Sequence, residues 1–179
     1  ALLKIARLGN PVLRQRAQAV DVEQLKTTSG EHLQPFLDDL IETMRHEGGV
    51  GIAAPQVGES IQVIIAEYQS NERYPDEDGI PLTILVNPVI TRQGGEPLSV
   101  WEGCLSLSEC RGLVTRPREV TVEAYDRKGE LHVIEASGFF AIVLQHEIDH
   151  LHGEAGILPF SEAEGVDQVG IGENIDAAS

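Results

Sequence analysis

Between Thr28 and Gly48 the apolar residues Leu33, Phe36, Leu37, Leu40, Ile41 and Met44 recur at spacings of three and four, which is one face of an α-helix. Thr28-x-x-Glu31 has the form of a capping box, Pro35 suits only a first turn and argues for a later start, and Gly48-Gly49 supplies the stop. Residues 61–67, 82–89 and 120–125 are instead rich in β-branched side chains and read as strands. Asp126-Arg127-Lys128-Gly129 joins the last of these to 131–136 as a hairpin, so the middle of the chain is antiparallel β. After Ser137-Gly138, Phe139-Phe140-Ala141-Ile142-Val143-Leu144 is apolar on every side and leads into Gln145-His146-Glu147-Ile148-Asp149-His150. A helix buried on all sides and ending in polar residues predicts a site inside the core.

The 179 residues suit one domain, and 41% hydrophobic residues provide a core. Thirteen basic against 29 acidic residues give a net charge of −16, which argues against nucleic acid as a direct ligand. No segment approaches the ~20 apolar residues of a membrane helix, and Ala1-Leu2-Leu3-Lys4-Ile5 is too short for a signal-peptide core, so a cytoplasmic protein without a membrane partner is expected. Cys104 and Cys110 are too few for a disulfide scaffold, which leaves metal binding, catalysis or a small-loop disulfide between them. Residues 129–179 hold ten acids and no Lys or Arg. From Ser161 onward Gly, Glu, Asp and Ala dominate, so the folded domain is placed at 1–160 and 161–179 is read as an acidic, loosely ordered tail.

His146-Glu147-x-x-His150 is the most informative short stretch. On a helix, residues i and i+4 lie one above the other, so both imidazoles reach one ion, while Glu147 sits to the side, where it can take a proton from water. Two histidines leave such a site one protein ligand short. A metzincin would place a third histidine where Gly156 stands and would need a methionine downstream, but the single methionine is Met44. A thermolysin-like site would draw on Glu162 or Glu164 in the weak tail, a poorly preorganised position. Cys104, in Glu102-Gly103-Cys104-Leu105-Ser106, is the better third ligand, because its thiolate binds divalent ions strongly.

Gly49-Val50-Gly51-Ile52-Ala53-Ala54-Pro55-Gln56 follows the first long helix. Alone it reads as a helix stop followed by a buried turn of small residues, and it lacks the Lys-Ser/Thr of a phosphate loop. Gln56, a neutral amide among small residues, is placed to steady a developing oxyanion.

These three motifs, in this order, resemble those of the peptide deformylases, and the likeness runs from Lys4–Arg14 to about Gly153. The resemblance implies an α+β fold with antiparallel β-sheets around a central buried helix carrying the His-Glu-x-x-His residues. It also implies hydrolysis of the formyl group from the formyl-methionine of nascent chains, with Fe²⁺ as the usual ion and Ni²⁺, Co²⁺ or Zn²⁺ accepted. By matched position, Cys104, His146 and His150 would hold the metal and Glu147 would shuttle the proton. The Gln56 side chain and the Leu105 backbone N–H would hold the formyl oxygen. The methionine side chain would lie among Val50, Gly51, Val100, Phe139, Ile142, Val143 and His146, near Gly103, with Glu102 and Arg111 as a supporting pair. Asp149 is read as support for a ligand, Trp101 as packing and Cys110 as a free thiol.

The likeness departs at the C-terminus, where Glu154-Ala155-Gly156 intervenes and no basic residue follows. Family members often carry a basic C-terminal helix there, so the resemblance does not extend to ribosome docking through one, and ribosome association is left open. Two rival readings are a metallopeptidase and a catalytically silent metal-binding module on the same scaffold.

Overall fold

The computed structural model describes residues 1–7, 9–27, 31–69, 79–104, 106 and 111–153, with the Arg111 side chain left out. Its elements in chain order are α1 (Val22–Leu25), α2 (Leu33–His46), β1 (Gly51–Ala53), β2 (Val63–Tyr68), β3 (Ile80–Gly94), β4 (Leu98–Gly103), β5 (Arg111–Arg116), β6 (Glu119–Tyr125), β7 (Leu131–Ser137) and α3 (Phe139–Leu151). Short 3-10 turns lie at Pro11–Arg14 and Ala54–Val57. The fold is α+β: an antiparallel five-stranded sheet runs β1-β2-β3-β6-β7, and β4 and β5 form a separate antiparallel pair.

The burial of β2 on both faces explains its unbroken apolar run. Val63 and Ile65 pack with Leu37, Leu40 and Met44 of α2, whereas Ile64 and Ala66 pack with Leu144, Ile148 and Leu151 of α3. Successive strand residues point to opposite faces, so a strand held between two helices has no polar alternation. The sheet is therefore a layer with α2 on one side and α3 on the other. Ten of the thirteen residues of α3 are buried, as the all-round apolar run predicts.

Where the predicted and observed elements differ, local chemistry supplies the cause. Helix α2 starts at Leu33 with Pro35 in its first turn, where a missing N–H breaks no helical bond, and Thr28 lies outside the described residues. Strand β3 outruns the predicted 82–89 in both directions by continuing through a bulge. There Asn87 takes φ 53°, and its side chain holds Val20 through two bonds of 2.8 Å. Asp126 closes the β6–β7 hairpin by accepting from the backbone N–H of Lys128 and of Glu130. Strands β4 and β5 escape the hydrophobicity pattern because their inner face, Leu98-Val100-Glu102 against Gly112-Val114-Arg116, carries a charged pair.

Just beyond α3, Gly153 has φ +81°, and a Cβ there would lie 2.5 Å from the Arg14 carbonyl oxygen. Only glycine satisfies both conditions. With the Ala17 N–H bonded to the Leu151 carbonyl at 2.9 Å, this contact ties the end of α3 to the N-terminal segment. The predicted tail, 161–179, and the domain limit at 160 lie outside the described residues. Among the described residues no helix is long and apolar enough to cross a membrane.

Candidate functional site

Helix α3 carries His146, Glu147 and His150, all buried, and β4 delivers Cys104 to them from the other sheet. Ligand atoms of Cys104, His146 and His150 all lie within 4.8 Å of one another, with Cys104 Sγ 3.3 Å from His150 Nε2. The His146 Nδ1–H donates to Glu102 Oε1 at 2.8 Å, which leaves Nε2 as the ring's ligand atom. Burial holds His150 well below the usual imidazole pKa, so its ring is neutral and keeps a lone pair. A thiol and two imidazoles converging in the core are a donor set that fits a divalent transition metal. The rival third ligands Glu162 and Glu164 lie outside the described residues. Cys104 is a free thiol, and Cys110 is not described.

Glu147 is not one of these converging donors, and its Oε1 is buried with no hydrogen-bond partner among the described residues. Burial, assisted by the nearby Glu102 carboxylate and opposed by His146, pushes its pKa up to about 7. A carboxylate poised there can accept and return a proton at neutral pH. Gly51 on β1, which the family likeness places around the methionine side chain, lies directly against Glu147 and is not among the residues lining the cavity described below.

Gln56 sits in the 3-10 turn after β1 and is 1% exposed. Its Oε1 accepts from the Ala53 N–H at 2.8 Å, which orients the amide so that Nε2 faces Cys104 Sγ at 3.4 Å and Ser106 Oγ at 3.2 Å. Leu105, the other predicted oxyanion donor, lies outside the described residues.

A cavity of about 260 Å³ opens beside Glu147 and His146. Val50, Val100, Trp101, Glu102, Gly103, Phe139, Ile142 and Val143 line it. Trp101, read as packing, is 40% exposed and contributes to the cavity wall. The cavity's lining is mainly apolar and includes the ionisable side chains of Glu102, His146 and Glu147.

Glu102 is buried and, besides its bond to His146, is paired with Arg116. Arg116 Nε and Nη2 donate to its two carboxylate oxygens at 2.7 and 3.0 Å, and Nη1 donates to Asp149 Oδ2 at 2.7 Å. Burial alone would raise the Glu102 pKa, but His146 and Arg116 together hold it below the usual carboxylate value. Arg111 lies on β5 opposite Gly103, and its side chain is not described. The sequence reading missed Arg116 because nothing in its spacing ties it to a motif. It also missed Gln145, whose amide donates to the carbonyls of Pro117 at 2.9 Å and Ala141 at 3.0 Å. Ser106 lies within the Glu102–Ser106 motif, but its acceptance of a bond from Gln56 Nε2 depends on tertiary contact and carries no signal in the sequence.

The family model for polypeptide deformylase matches residues 2–164. Peptide deformylase 2 of Bordetella bronchiseptica is 46% identical over 149 residues, covering 83% of this chain and 82% of its own. The peptide deformylase of Leptospira biflexa is 38% identical over 179 residues, covering 99% of this chain and 97% of its own. Among solved structures, the class I type b peptide deformylase of Acinetobacter baumannii bound to Met-Ala-Ser superimposes with a TM-score of 0.83 at 36% identity, covering 88% of this chain and 98% of that one. The site's architecture and these likenesses agree: the chain belongs to the peptide deformylase family.

Proposed function

We propose that this chain is a metal-dependent hydrolase that removes the formyl group from the N-terminal formyl-methionine of newly made polypeptides and releases formate. The observation that carries the reading is the convergence of Cys104, His146 and His150 next to a buried Glu147, whose Oε1 has no hydrogen-bond partner among the described residues, on a mainly apolar cavity. The names of the relatives and the Met-Ala-Ser peptide held by the Acinetobacter enzyme support it.

Cys104, His146 and His150 hold the ion, with Fe²⁺ as the proposed native metal and Ni²⁺, Co²⁺ or Zn²⁺ as substitutes. A divalent ion bound there supplies Lewis acidity and activates water at neutral pH. Glu147 takes the proton of the attacking water and delivers it to the departing amine nitrogen, so the C–N bond breaks to give formate and a free N-terminus. Gln56 Nε2–H and, by family likeness, the Leu105 N–H hold the formyl oxygen as negative charge grows on it, each worth about 3 kcal/mol of barrier. Val50, Val100, Phe139, Ile142 and Val143 enclose the methionine side chain and exclude water. Gly51 and Gly103 allow the backbone to come close, and Glu102 and Arg111 support the pocket wall. The catalytic unit is residues 1–160 in the cytoplasm, with 161–179 as an appended acidic tail.

The test is formate release from a formyl-methionyl peptide by anaerobically prepared, Fe²⁺-loaded protein, with Glu147→Ala in parallel. Release by the native chain and none by the variant, at equal metal content, is the expected result. No release by the fully loaded native chain overturns the reading, and full activity in Glu147→Ala overturns the role of Glu147.

A further inference from the structure

The three proposed ligands come from two separate bodies. Cys104 follows β4 in the two-stranded sheet, whereas His146 and His150 ride on α3, which packs against the five-stranded sheet. A metal site needs the distance between its donors fixed to a fraction of an ångström, so something must hold the small sheet against the helix. The described structure offers a direct device. The chain leaving β5 is tied to α3 by Gln145 donating to the Pro117 carbonyl at 2.9 Å and by the Gly138 N–H donating to the Arg118 carbonyl at 2.9 Å. From that anchored segment, Arg116 reaches across the inner face of the small sheet to Glu102, two residues before Cys104, and to Asp149, between the two histidines.

We propose that Arg116 is a positioning residue for the metal centre: by gripping Glu102 on β4 and Asp149 on α3 with one guanidinium, it fixes Cys104 relative to His146 and His150. The inference rests on the reading that these three residues hold a divalent ion. Arg116 is 8% exposed and engages three of its nitrogens with two carboxylates, a geometry that a lysine ammonium cannot reproduce. Glu102 passes the constraint on, since the oxygen that accepts from Arg116 Nη2 also accepts from His146 Nδ1–H and so orients that ring. A buried ion pair contributes little net stability compared with apolar packing, which leaves geometric specification as the reason for this network.

The experiment uses the full chain loaded with Co²⁺, whose visible bands report thiolate ligation and ligand geometry, and follows loss of the ion to excess chelator. Arg116→Gln and Arg116→Lys should lose Co²⁺ about tenfold faster or more, with altered ligand-field bands. Asp149→Asn, which cuts only the α3 arm of the grip, should shift both readouts in the same direction by less, and adding it to Arg116→Gln should have little further effect. If the Arg116 variants do not fold, Asp149→Asn carries the test alone. Folded variants whose bands and Co²⁺ loss stay within about twofold of the native chain, even with lowered melting temperatures, would reduce Arg116 to a structural ion pair and overturn the proposal. A native chain that takes up no Co²⁺ would overturn the metal reading itself, an outcome distinct from native binding that the variants leave unchanged.

Discussion

A methyl group built on Gly51 would lie 2.6 Å from Glu147 Oε2 and 2.9 Å from both Cγ and Cδ, so β1 and α3 meet where any added side chain would have to displace the Glu147 carboxylate. The contact explains why the small-residue motif and the His-Glu-x-x-His motif, far apart in sequence, belong to one site. Backbone packed this closely leaves the carboxylate little freedom.

Gly51→Ala should therefore displace Glu147 and lower formate release about 100-fold, because misplacing a reacting group by about 1 Å carries a cost of that order. Metal content should not change. Steady-state kinetics with metal analysis checks this, and activity within a few-fold of native would mean that Glu147 does not need the position it occupies here.

Gln56→Glu keeps the oxygen that accepts from Ala53 but replaces the Nε2–H donor. The turnover number should fall by about 100- to 1,000-fold, the usual cost of one lost oxyanion donor. KM should move much less, since the interaction strengthens mainly in the transition state. An equal rise in KM with turnover intact would reassign Gln56 to ground-state binding.

The Glu147 carboxyl, pushed up to about 7 mainly by burial, makes the metal-free protein pH-dependent in a definite direction. Its folded pKa exceeds the unfolded value of 4.5, so the folded state holds the proton more tightly, and stability falls as pH rises from about 4.5 through 7. Glu147→Gln removes that loss. Denaturant melts of the metal-free proteins should show the variant gaining on the native chain between pH 5 and pH 8, by about 3 kcal/mol at most. A constant difference across this range would refute the burial effect.

Ile142, 2% exposed, lines the cavity between Phe139 and Val143. Ile142→Phe should narrow it and lower kcat/KM for formyl-methionyl peptides by about 10- to 200-fold, while formyl-alanyl peptides change little. Equal losses on both substrates would show that the cavity does not hold the first side chain.

Much of the architecture is legible in the one-dimensional pattern. Helix α2 shows its apolar stripe, the hairpin of β6 and β7 shows its turn residues, and the all-round apolar run of α3 announces a buried helix. Strands β4 and β5 are not legible. Half of a strand's signal comes from its inward residues, and here those include Glu102 and Arg116, placed inward for the site they support.

Motif order and spacing by themselves determined the family likeness, the two histidines sharing a helix face, and Cys104 as the preferred third ligand, because these depend on local geometry or on residue type alone. Tertiary structure decided the rest. It brought Cys104 to the histidines, set Gly51 against Glu147, fixed the orientation of the Gln56 amide, and joined Glu102 to Arg116 and Asp149. Each of these relations spans two elements whose separation in sequence says nothing of their distance in space. Such pairs become neighbours only when burial of the apolar faces of α2, β2 and α3 closes the layers on one another.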